Sequence, residues 1–249
     1  MRLPRLTLLI LLLCWPGLTI AEEIHVAVAA NFKKPFTQLA NLFEAQTGHR
    51  LLISSGSTGK LFAQIVNGAP YQLFLSADQQ RPSLLAQMNL ADPKSQFTYA
   101  MGRLALWRPK GGDKPLDEEY FHPPPNKRIA ISNPKLAPYG LAAKEVLLQL
   151  KIWEALRHQL SFGENAGQTL AFLSSGNVDS GFVALSQILD TNPTKDQIWI
   201  IPSAYYNPIR QDAILLNTGK ESPGPGQLLE FLKSPPIREQ IEQWGYSVP

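Results

Sequence analysis

Cysteine is nearly absent from this chain, since Cys14 is the one cysteine among 249 residues. A lone thiol can neither close an intramolecular disulfide nor build a thiolate metal site, so both are excluded. Charged residues make up only 17% of the chain and the formal net charge is +3, which gives no electrostatic case for binding nucleic acid or a membrane surface. Hydrophobic residues reach 44%, a composition that excludes intrinsic disorder and is typical of a globular protein.

Sequence signatures of catalysis are also missing. Gly56–Leu61 contains a Gly-Lys pair, but it lacks the four-residue spacer and the following Ser or Thr of a Walker A loop. No Gly-x-Ser-x-Gly elbow occurs. The four histidines are scattered, with no helical pair and no cysteine partner, which argues against a zinc site. We therefore predict a protein that is not an enzyme and that carries no cofactor.

Beyond the first twenty residues, the chain has no hydrophobic run long enough to span a membrane. At the N-terminus, Arg2 and Arg5 precede the apolar run Leu6–Leu13. Thr19 and Ala21 then supply the small residues that a signal cleavage site after Ala21 needs. This is the pattern of a secretory signal, and the run is shorter than the roughly 20 residues that a membrane-spanning helix needs. We predict that residues 1–21 are a cleaved signal peptide. Cleavage would remove two arginines and no acid, which brings the 23 basic and 20 acidic residues close to balance.

Short apolar strands alternate with amphipathic helices along the rest of the chain. Such alternation predicts parallel sheets that helices cover on both faces. Because the alternation restarts after Trp107, two lobes fit the pattern better than one sheet. The predicted strands are Ile24–Ala30, Leu51–Ile53, Leu73–Leu75, Leu104–Trp107, Ile129–Ile131, Gly181–Leu185, Ile198–Ile201 and Ala213–Leu216.

Small polar residues and glycines collect where predicted strands lead into helices. The four junctions are Ala29–Phe32, Ser54–Lys60, Asn133–Gly140 and Gly163–Gly167. Each leaves free backbone N–H groups at a helix N-terminus, and four such ends meeting at one edge would form an uncharged pocket rich in hydrogen-bond donors. Ordinary helix capping explains any single junction, but one cap needs only one hydroxyl, and residues 54–59 hold more. Such a pocket would suit a compact oxyanion.

Stretches around these junctions resemble the periplasmic molybdate-binding proteins, the receptors of molybdate ABC importers. The most specific match is Gln64–Pro70 running on to Phe74–Asp78. The other matching stretches are Val26–Phe32, Gly56–Leu61, Asn133-Pro134, Ala137–Gly140, Ala143–Glu145 and Trp244–Tyr246. Together they spread over nearly all of residues 24–246.

The resemblance implies an α/β fold of the type II periplasmic binding-protein class, with two lobes, each a mainly parallel sheet flanked by helices, and a ligand cleft between them. We expect residues 22–102 plus 204–249 to form lobe I and residues 103–203 to form lobe II. The resemblance also implies that the protein binds a small inorganic oxyanion, molybdate or tungstate, in the periplasm and delivers it to the membrane permease of an ABC importer. The pattern offers no apolar face for self-pairing, so we expect a monomer.

The resemblance also implies which residues of this sequence would bind the oxyanion. They would contact its oxygen atoms, so that molybdenum itself would have no direct protein ligand. Thr58 would donate from its hydroxyl and its backbone, and Ala166 from its backbone N–H alone. Many family members have a tyrosine after the strand that corresponds to Gly181–Leu185, where this chain has Ala184. We expect Tyr139, where many relatives have alanine, to supply the phenol instead. The full implied set is Asn31, Ser57, Thr58, Tyr139 and Ala166.

Two alternatives remain open. A receptor for sulfate or phosphate would use the same pocket, and phosphate carries a proton that a site carboxylate can accept. Glu164 is the one carboxylate at the four junctions. A secreted enzyme acting on a phosphoester or sulfoester would need a nucleophile, a base or a metal site that the sequence does not offer.

Overall fold

The computed structural model describes residues 21–122 and 127–249, and the predicted signal peptide lies almost wholly outside them. Within these ranges no helix is long and apolar enough to cross a membrane. The described strands are β1 (Glu23–Ala29), β2 (Arg50–Gly56), β3 (Leu73–Leu75), β4 (Phe97–Gly102), β5 (Leu104–Trp107), β6 (Ile129–Ser132), β7 (Leu160–Gly163), β8 (Ser180–Ala184), β9 (Ile198–Ile200) and β10 (Ile209–Leu215).

Helices alternate with these strands, and local signals in the sequence mark their ends. Gly48 ends the first helix in the left-handed conformation with φ of 76°, and the Ser57 side chain caps the second. The described helices are α1 (Lys33–Thr47), α2 (Thr58–Val66), α3 (Gln80–Gln87), α4 (Pro138–Gln149), α5 (Trp153–Leu156), α6 (Ala166–Ser174), α7 (Pro223–Lys233) and α8 (Pro235–Gln243).

The strands form two five-stranded sheets in the described part of the chain. The first has the order β2-β1-β3-β10-β4, and the second has the order β7-β6-β8-β5-β9. Below, the first lobe is the first sheet with α1, α2, α3, α7 and α8, and the second lobe is the second sheet with α4, α5 and α6. The chain crosses from the first lobe to the second at Arg103 and returns between β9 and β10. The exact lobe limits at 102/103 and 203/204 stay a prediction, because strand pairing alone fixes no boundary residue.

Each sheet carries a hydrophobic cluster on both faces, as the predicted covering by helices requires. The alternation of β1 sends Val26 and Val28 into one cluster with residues of α1, and Ala27 into another with residues of α2. In the same way, Leu106 of β5 and Trp107 beside it enter opposite clusters of the second lobe. Two layers of helices therefore sandwich each sheet.

The expectation of mainly parallel sheets is confirmed, since four of the five strands in each described sheet run in the same direction and one runs the opposite way. β1 is parallel to β2 and β3, whereas β10 runs antiparallel to β3 and β4. Likewise β6 is parallel to β7 and β8, whereas β5 runs antiparallel to β8 and β9. The antiparallel pairs involve β10 and β5, the strands on which the chain enters a lobe. Such a strand does not follow a strand–helix–strand unit, so its direction is not constrained to be parallel.

Candidate functional site

Four helical N-termini meet at a small cavity between the two lobes. They belong to the 3-10 turn Ala30–Phe32, which leads into α1, and to α2, α4 and α6. The cavity measures about 10 Å³, roughly the room for one water molecule. The residues around it are Ala29, Ala30, Asn31, Gly56, Ser57, Thr58, Ala77, Ala137, Pro138, Tyr139, Asn165 and Ala166.

All five residues of the set expected from the sequence line this one cavity, although they are far apart in the chain. Asn31, Ser57 and Thr58 come from the first lobe, and all three are buried. Tyr139 and Ala166 come from the second lobe and are also buried. Their role as oxyanion ligands stays a prediction. Ala184, which stands where many relatives have a tyrosine, is fully buried at the end of β8 and is not among the described lining residues.

The cavity offers neutral hydrogen-bond donors. Among the described residues, those lining it carry no charged side chain. The first N–H groups of a helix have no partner within the helix and lie at the positive end of its dipole, so they favour an anion. Lys60 and Glu164 lie beside two of the junctions, but their side chains pair with each other at 2.6 Å and are 51% and 41% exposed. In the described ranges no group of three or more His, Cys, Asp or Glu side chains could hold a metal ion.

The hydroxyls of Ser57 and Thr58 both act as acceptors toward the protein, which leaves their hydrogens to donate. Ser57 Oγ accepts from the N–H of Lys60 at 3.4 Å, the usual capping bond of a helix N-terminus. Thr58 Oγ1 accepts from the N–H of Ala77 at 3.1 Å, in a buried contact across the first lobe. Since Ala77 and Thr58 both line the cavity, this bond fixes the Thr58 oxygen at its wall.

The phenol of Tyr139 is a buried donor whose protonation does not change near neutral pH. Burial raises the pKa of Tyr139 well above its usual value, and the neighbouring phenols of Tyr246, Tyr99 and Tyr206 raise it further, while a hydrogen bond from Gln211 lowers it. That bond runs from Gln211 Nε2 to Tyr139 Oη at 3.3 Å. A neutral phenol next to a donor of this kind keeps its own hydrogen for another acceptor.

Gly102 makes the space that the Tyr139 phenol occupies. A Cβ atom at this position would lie 2.1 Å from Tyr139 Oη and 2.8 Å from Cζ, closer than any real contact. Gly102 ends β4, directly before the chain crosses to the second lobe. The absence of a side chain on the crossing strand is therefore what lets the phenol of one lobe enter the other.

The side chain of Asn31 bonds within the protein rather than facing the cavity alone. Asn31 Nδ2 donates to Gln211 Oε1 at 2.7 Å and to Tyr246 Oη at 3.3 Å. Tyr246 Oη donates back to the Asn31 carbonyl at 3.2 Å and accepts from Ser186 Oγ at 2.8 Å. Both hydrogens of the Asn31 amide thus have acceptors, so the group that Asn31 leaves for a ligand is its backbone N–H at the start of the 3-10 turn.

Sequence reasoning missed Gln211 and Tyr246, the two residues that connect the site to its surroundings. Tyr246 is buried, which raises its pKa to about 12, although hydrogen bonds to Ser186, Asn31, Gln211 and Tyr139 lower it. In the sequence, Tyr246 stands out only as part of Trp244–Tyr246, one of the stretches that resemble the molybdate-binding family. Gln211 is fully buried in β10. It stands between Arg210 and Asp212, so no local pattern in the sequence marks it as buried.

Direct contacts close the two lobes around the cavity. The N–H of Gly59 in α2 donates to the carbonyl of Leu136 at 2.9 Å, and Arg81 Nη2 donates to the carbonyl of Lys135 at 3.2 Å. Lys34 of α1 forms an ion pair with Asp190 of the second lobe. The structure is therefore that of a closed cleft.

Comparison with known proteins points in the same direction as the site. Residues 24–247 match the family model of the bacterial extracellular solute-binding proteins. The chain is 42% identical over 229 residues to the molybdate-binding protein ModA of Azotobacter vinelandii, covering 92% of this chain and 91% of that protein. It is 40% identical over 233 residues to the molybdate-binding protein ModA of Rhodobacter capsulatus, covering 91% of this chain and 88% of that protein.

A solved structure supports the same relationship. The periplasmic molybdate-binding protein of Azotobacter vinelandii superposes with a TM-score of 0.85 at 39% identity, covering 91% of this chain and 99% of that one. The predicted fold class, two α/β lobes around a cleft, is confirmed by this similarity and by the two described sheets.

Proposed function

This chain belongs to the bacterial extracellular solute-binding protein family, and we propose that it binds molybdate between its lobes and delivers it to an ABC importer. The observation that carries the proposal is the closed cavity, where neutral donors from four helix N-termini converge without a charged side chain among the described lining residues. The two relatives at about 40% identity, both named as molybdate-binding proteins, support the choice of ligand. The protein is a binding component of a transporter and not an enzyme.

Neutral donors are sufficient to hold a tetrahedral dianion in this cavity. Hydrogen bonds to a charged acceptor are about twice as strong as those between neutral groups, and helix N-termini add a fixed positive potential. Donors on both lobes can reach the anion together only when the cleft is closed, so binding and closure are coupled. The cavity has room for about one water molecule, so a tetrahedral oxyanion, which is larger, displaces the lining groups as it binds.

We assign the contacts to the oxyanion residue by residue. Thr58 and Tyr139 donate from their hydroxyls, Ser57 from its own hydroxyl, and Asn31 and Ala166 from their backbone N–H groups. The bonds that Ser57 and Thr58 accept from Lys60 and Ala77 support this assignment, because they leave the hydroxyl hydrogens for the ligand. Tungstate, which has the same charge and shape, occupies the same contacts.

The surroundings of Glu164 speak against phosphate. At neutral pH phosphate keeps a proton, which requires an acceptor inside the site. The carboxylate of Glu164 is paired with Lys60 outside the cavity and does not line it. Sulfate has no such proton, so selection against sulfate rests on the spacing of the donors, because a rigid ring of donors fits one distance between the central atom and its oxygens best.

The wider setting of the protein follows from the same proposal. Residues 1–21 act as a secretory signal, and the mature protein works as a monomer in the periplasm. The closed form presents both lobes to the membrane permease, which receives the oxyanion.

Isothermal titration of the purified mature protein with molybdate, tungstate, sulfate and phosphate tests the proposal. We expect one-to-one binding of molybdate and tungstate, with little heat from sulfate or phosphate. Preferential binding of sulfate or phosphate would keep the pocket but replace the ligand. No heat from any of the four anions would refute oxyanion binding altogether.

A further inference from the structure

Gln211 connects predicted ligand residues of the two lobes through one buried side chain. It lies on β10, the strand on which the chain returns to the first lobe, and it is fully buried. Its Oε1 accepts from Asn31 Nδ2 at 2.7 Å and from Tyr99 Oη at 3.3 Å. Its Nε2 donates to Tyr139 Oη at 3.3 Å. Gln211 does not line the cavity itself.

The two ends of the Gln211 amide have different chemistry, and this determines where hydrogens point. With Oε1 receiving the short bond from Asn31, the end that meets Tyr139 is Nε2, which can only donate. Tyr139 Oη therefore accepts from Gln211 and must use its own hydrogen elsewhere.

We propose that Gln211 is a positioning residue for oxyanion binding, which directs the hydroxyl hydrogen of Tyr139 toward the ligand. In the closed cleft this phenol bonds to the hydroxyl of Tyr246, which also accepts from Ser186 and Asn31. The oxyanion, a far stronger acceptor, takes the Tyr139 hydrogen when it binds. The inference rests on the proposed function and adds to it a residue that acts through Tyr139 without touching the anion.

Substitution Gln211→Glu reverses the polarity of this contact while keeping the shape of the side chain. An ionised carboxylate cannot donate, so it draws the Tyr139 hydrogen to itself and places a buried negative charge near the anion. We expect molybdate affinity to fall by about 100-fold or more near pH 8. Burial without a cation raises the pKa of an introduced glutamate above its usual value of about 4.3, so the carboxyl takes up a proton as the pH falls.

Recovery at lower pH would show that the loss comes from the ionised carboxylate and not from damage to the fold. Once protonated, the introduced carboxyl can again donate to Tyr139, so we expect most of the lost affinity to return by about pH 6. Among the described residues, the phenols of Tyr99, Tyr139 and Tyr246 bond to Gln211. Behind them lie the phenol of Tyr206, near Tyr139, and the carboxylates of Asp78 and Asp212, near Tyr99. All of them are present in the wild-type protein, whose own titration over the same pH range is the control.

Substitution Gln211→Met supplies a matched neutral variant. It keeps the length of the side chain but removes donor and acceptor, and we expect affinity to fall about tenfold with no recovery at lower pH. In a Tyr139→Phe background the same change should cost much less, because there is no hydroxyl left to direct.

Calorimetric titration with molybdate, with thermal melting as a check on folding, decides between the outcomes. Wild-type affinity in Gln211→Glu at every pH would overturn the inference, as would a loss in the folded variant that does not shrink at lower pH. If Gln211→Glu does not fold, additive losses for Gln211→Met and Tyr139→Phe would overturn it as well. Failure of the wild-type protein to bind molybdate would instead refute the proposed function, and the inference with it.

Discussion

The interior of the cleft and its rim hold the lobes together by opposite means. Inside, Thr58, Tyr139 and Gln211 are buried and neutral and interact through hydrogen bonds. At the rim, the ion pair Lys60–Glu164 joins the same two lobes through side chains that are about half exposed to solvent. The pair Lys34–Asp190 on α1 and the second lobe is more exposed still. At the cleft, charge thus lies on the exposed rim and is excluded from the described wall of the cavity.

This difference indicates that the interior of the cleft selects the anion, whereas the rim affects how readily the cleft closes. Buried hydrogen bonds are sensitive to distance and leave an expensive unpaired group when they fail, so the interior can discriminate between anions. Exposed ion pairs are weak and are screened by salt, so the rim can only adjust the balance between open and closed forms. Moving charge into the interior, or removing it from the rim, should therefore have very unequal effects.

The largest effect should follow from placing a negative charge at the cavity wall. Ser57→Asp retains a good N-cap for α2, so the fold is expected to persist, but the carboxylate faces a dianion across a buried site. We expect molybdate affinity to fall by about 3 kcal/mol or more. Ser57→Asn, a neutral cap of the same size, is the matched control. Similar calorimetric affinities for the two variants would show that Ser57 does not face the ligand.

A second large effect should appear in stability at high pH, because the interior depends on neutral phenols. Burial raises the pKa of Tyr246 to about 12, whereas in the unfolded chain it is near 10.0. Between these values the unfolded state loses its proton first, so the free energy of unfolding falls as the pH rises through this window. The full contribution of Tyr246 is about 2–3 kcal/mol, present below pH 10 and lost by about pH 12.

Denaturant unfolding at a series of alkaline pH values checks this expectation. Tyr246→Phe should have a lower stability at neutral pH but a shallower decline above pH 10. Tyr71→Phe, whose hydroxyl bonds to Gln64 at the surface, is the control and should decline as the wild type does. Equal slopes for wild type and Tyr246→Phe would contradict the assigned pKa.

Loss of the Tyr139 hydroxyl should weaken binding by about 1–3 kcal/mol, the usual consequence of removing one partner of a buried hydrogen bond. In Tyr139→Phe the ring stays and Gln211 Nε2 loses its acceptor. Thr58→Ala should have an effect of the same order, while Thr58→Ser keeps the hydroxyl and serves as its control. Unchanged affinity in both Tyr139→Phe and Thr58→Ala, measured by calorimetry, would refute the assignment of the cavity as the binding site.

The elements with strong local signals could be predicted, and so could the meeting of the cavity residues. Helix α1 was evident from its apolar spacing and the glycine after it, and α2 from its cap. The cavity was predictable because each lining residue lies at a strand-to-helix junction, and such junctions share one edge of a sheet. Neither inference needed knowledge of distant contacts.

Elements that depend on distant contacts could not be predicted. Strand β7 lies at a sheet edge, where Phe162 is 47% exposed and no continuous apolar run forms. Asp212 is a buried carboxylate in β10, and its acceptors are satisfied by Gln79, Gln96 and Thr98. Those three residues lie at the start of α3 and in or beside β4, two elements whose local sequence pattern is weak. The burial of Asp212, and of Gln211 next to it, therefore becomes evident only once the first sheet is assembled.

The direction of β5 and β10, the strands on which the chain enters a lobe, could not be predicted for a related reason. Side-chain alternation indicates which face of a strand is buried and carries no information on which way the strand runs. Hence β5 and the second half of β10 could be predicted as strands, but their antiparallel pairing could not. Because β10 brings Gln211 between the lobes, the same limitation concealed the residue that links the two halves of the site.

The smallest effect should come from the rim. Lys60→Met removes the pair with Glu164 but leaves the backbone of α2 and the cavity wall in place, so we expect molybdate affinity to change by less than about 1 kcal/mol. Because exposed pairs are screened, the difference from wild type should shrink as salt is added, and Glu164→Gln should behave in the same way. Stopped-flow measurement of molybdate release at low and high salt checks this, since a weaker closed form releases its ligand sooner. A salt-independent loss as large as that of Tyr139→Phe would mean that Lys60 contributes to holding the anion itself, and the separation between a charged rim and a neutral interior would no longer hold.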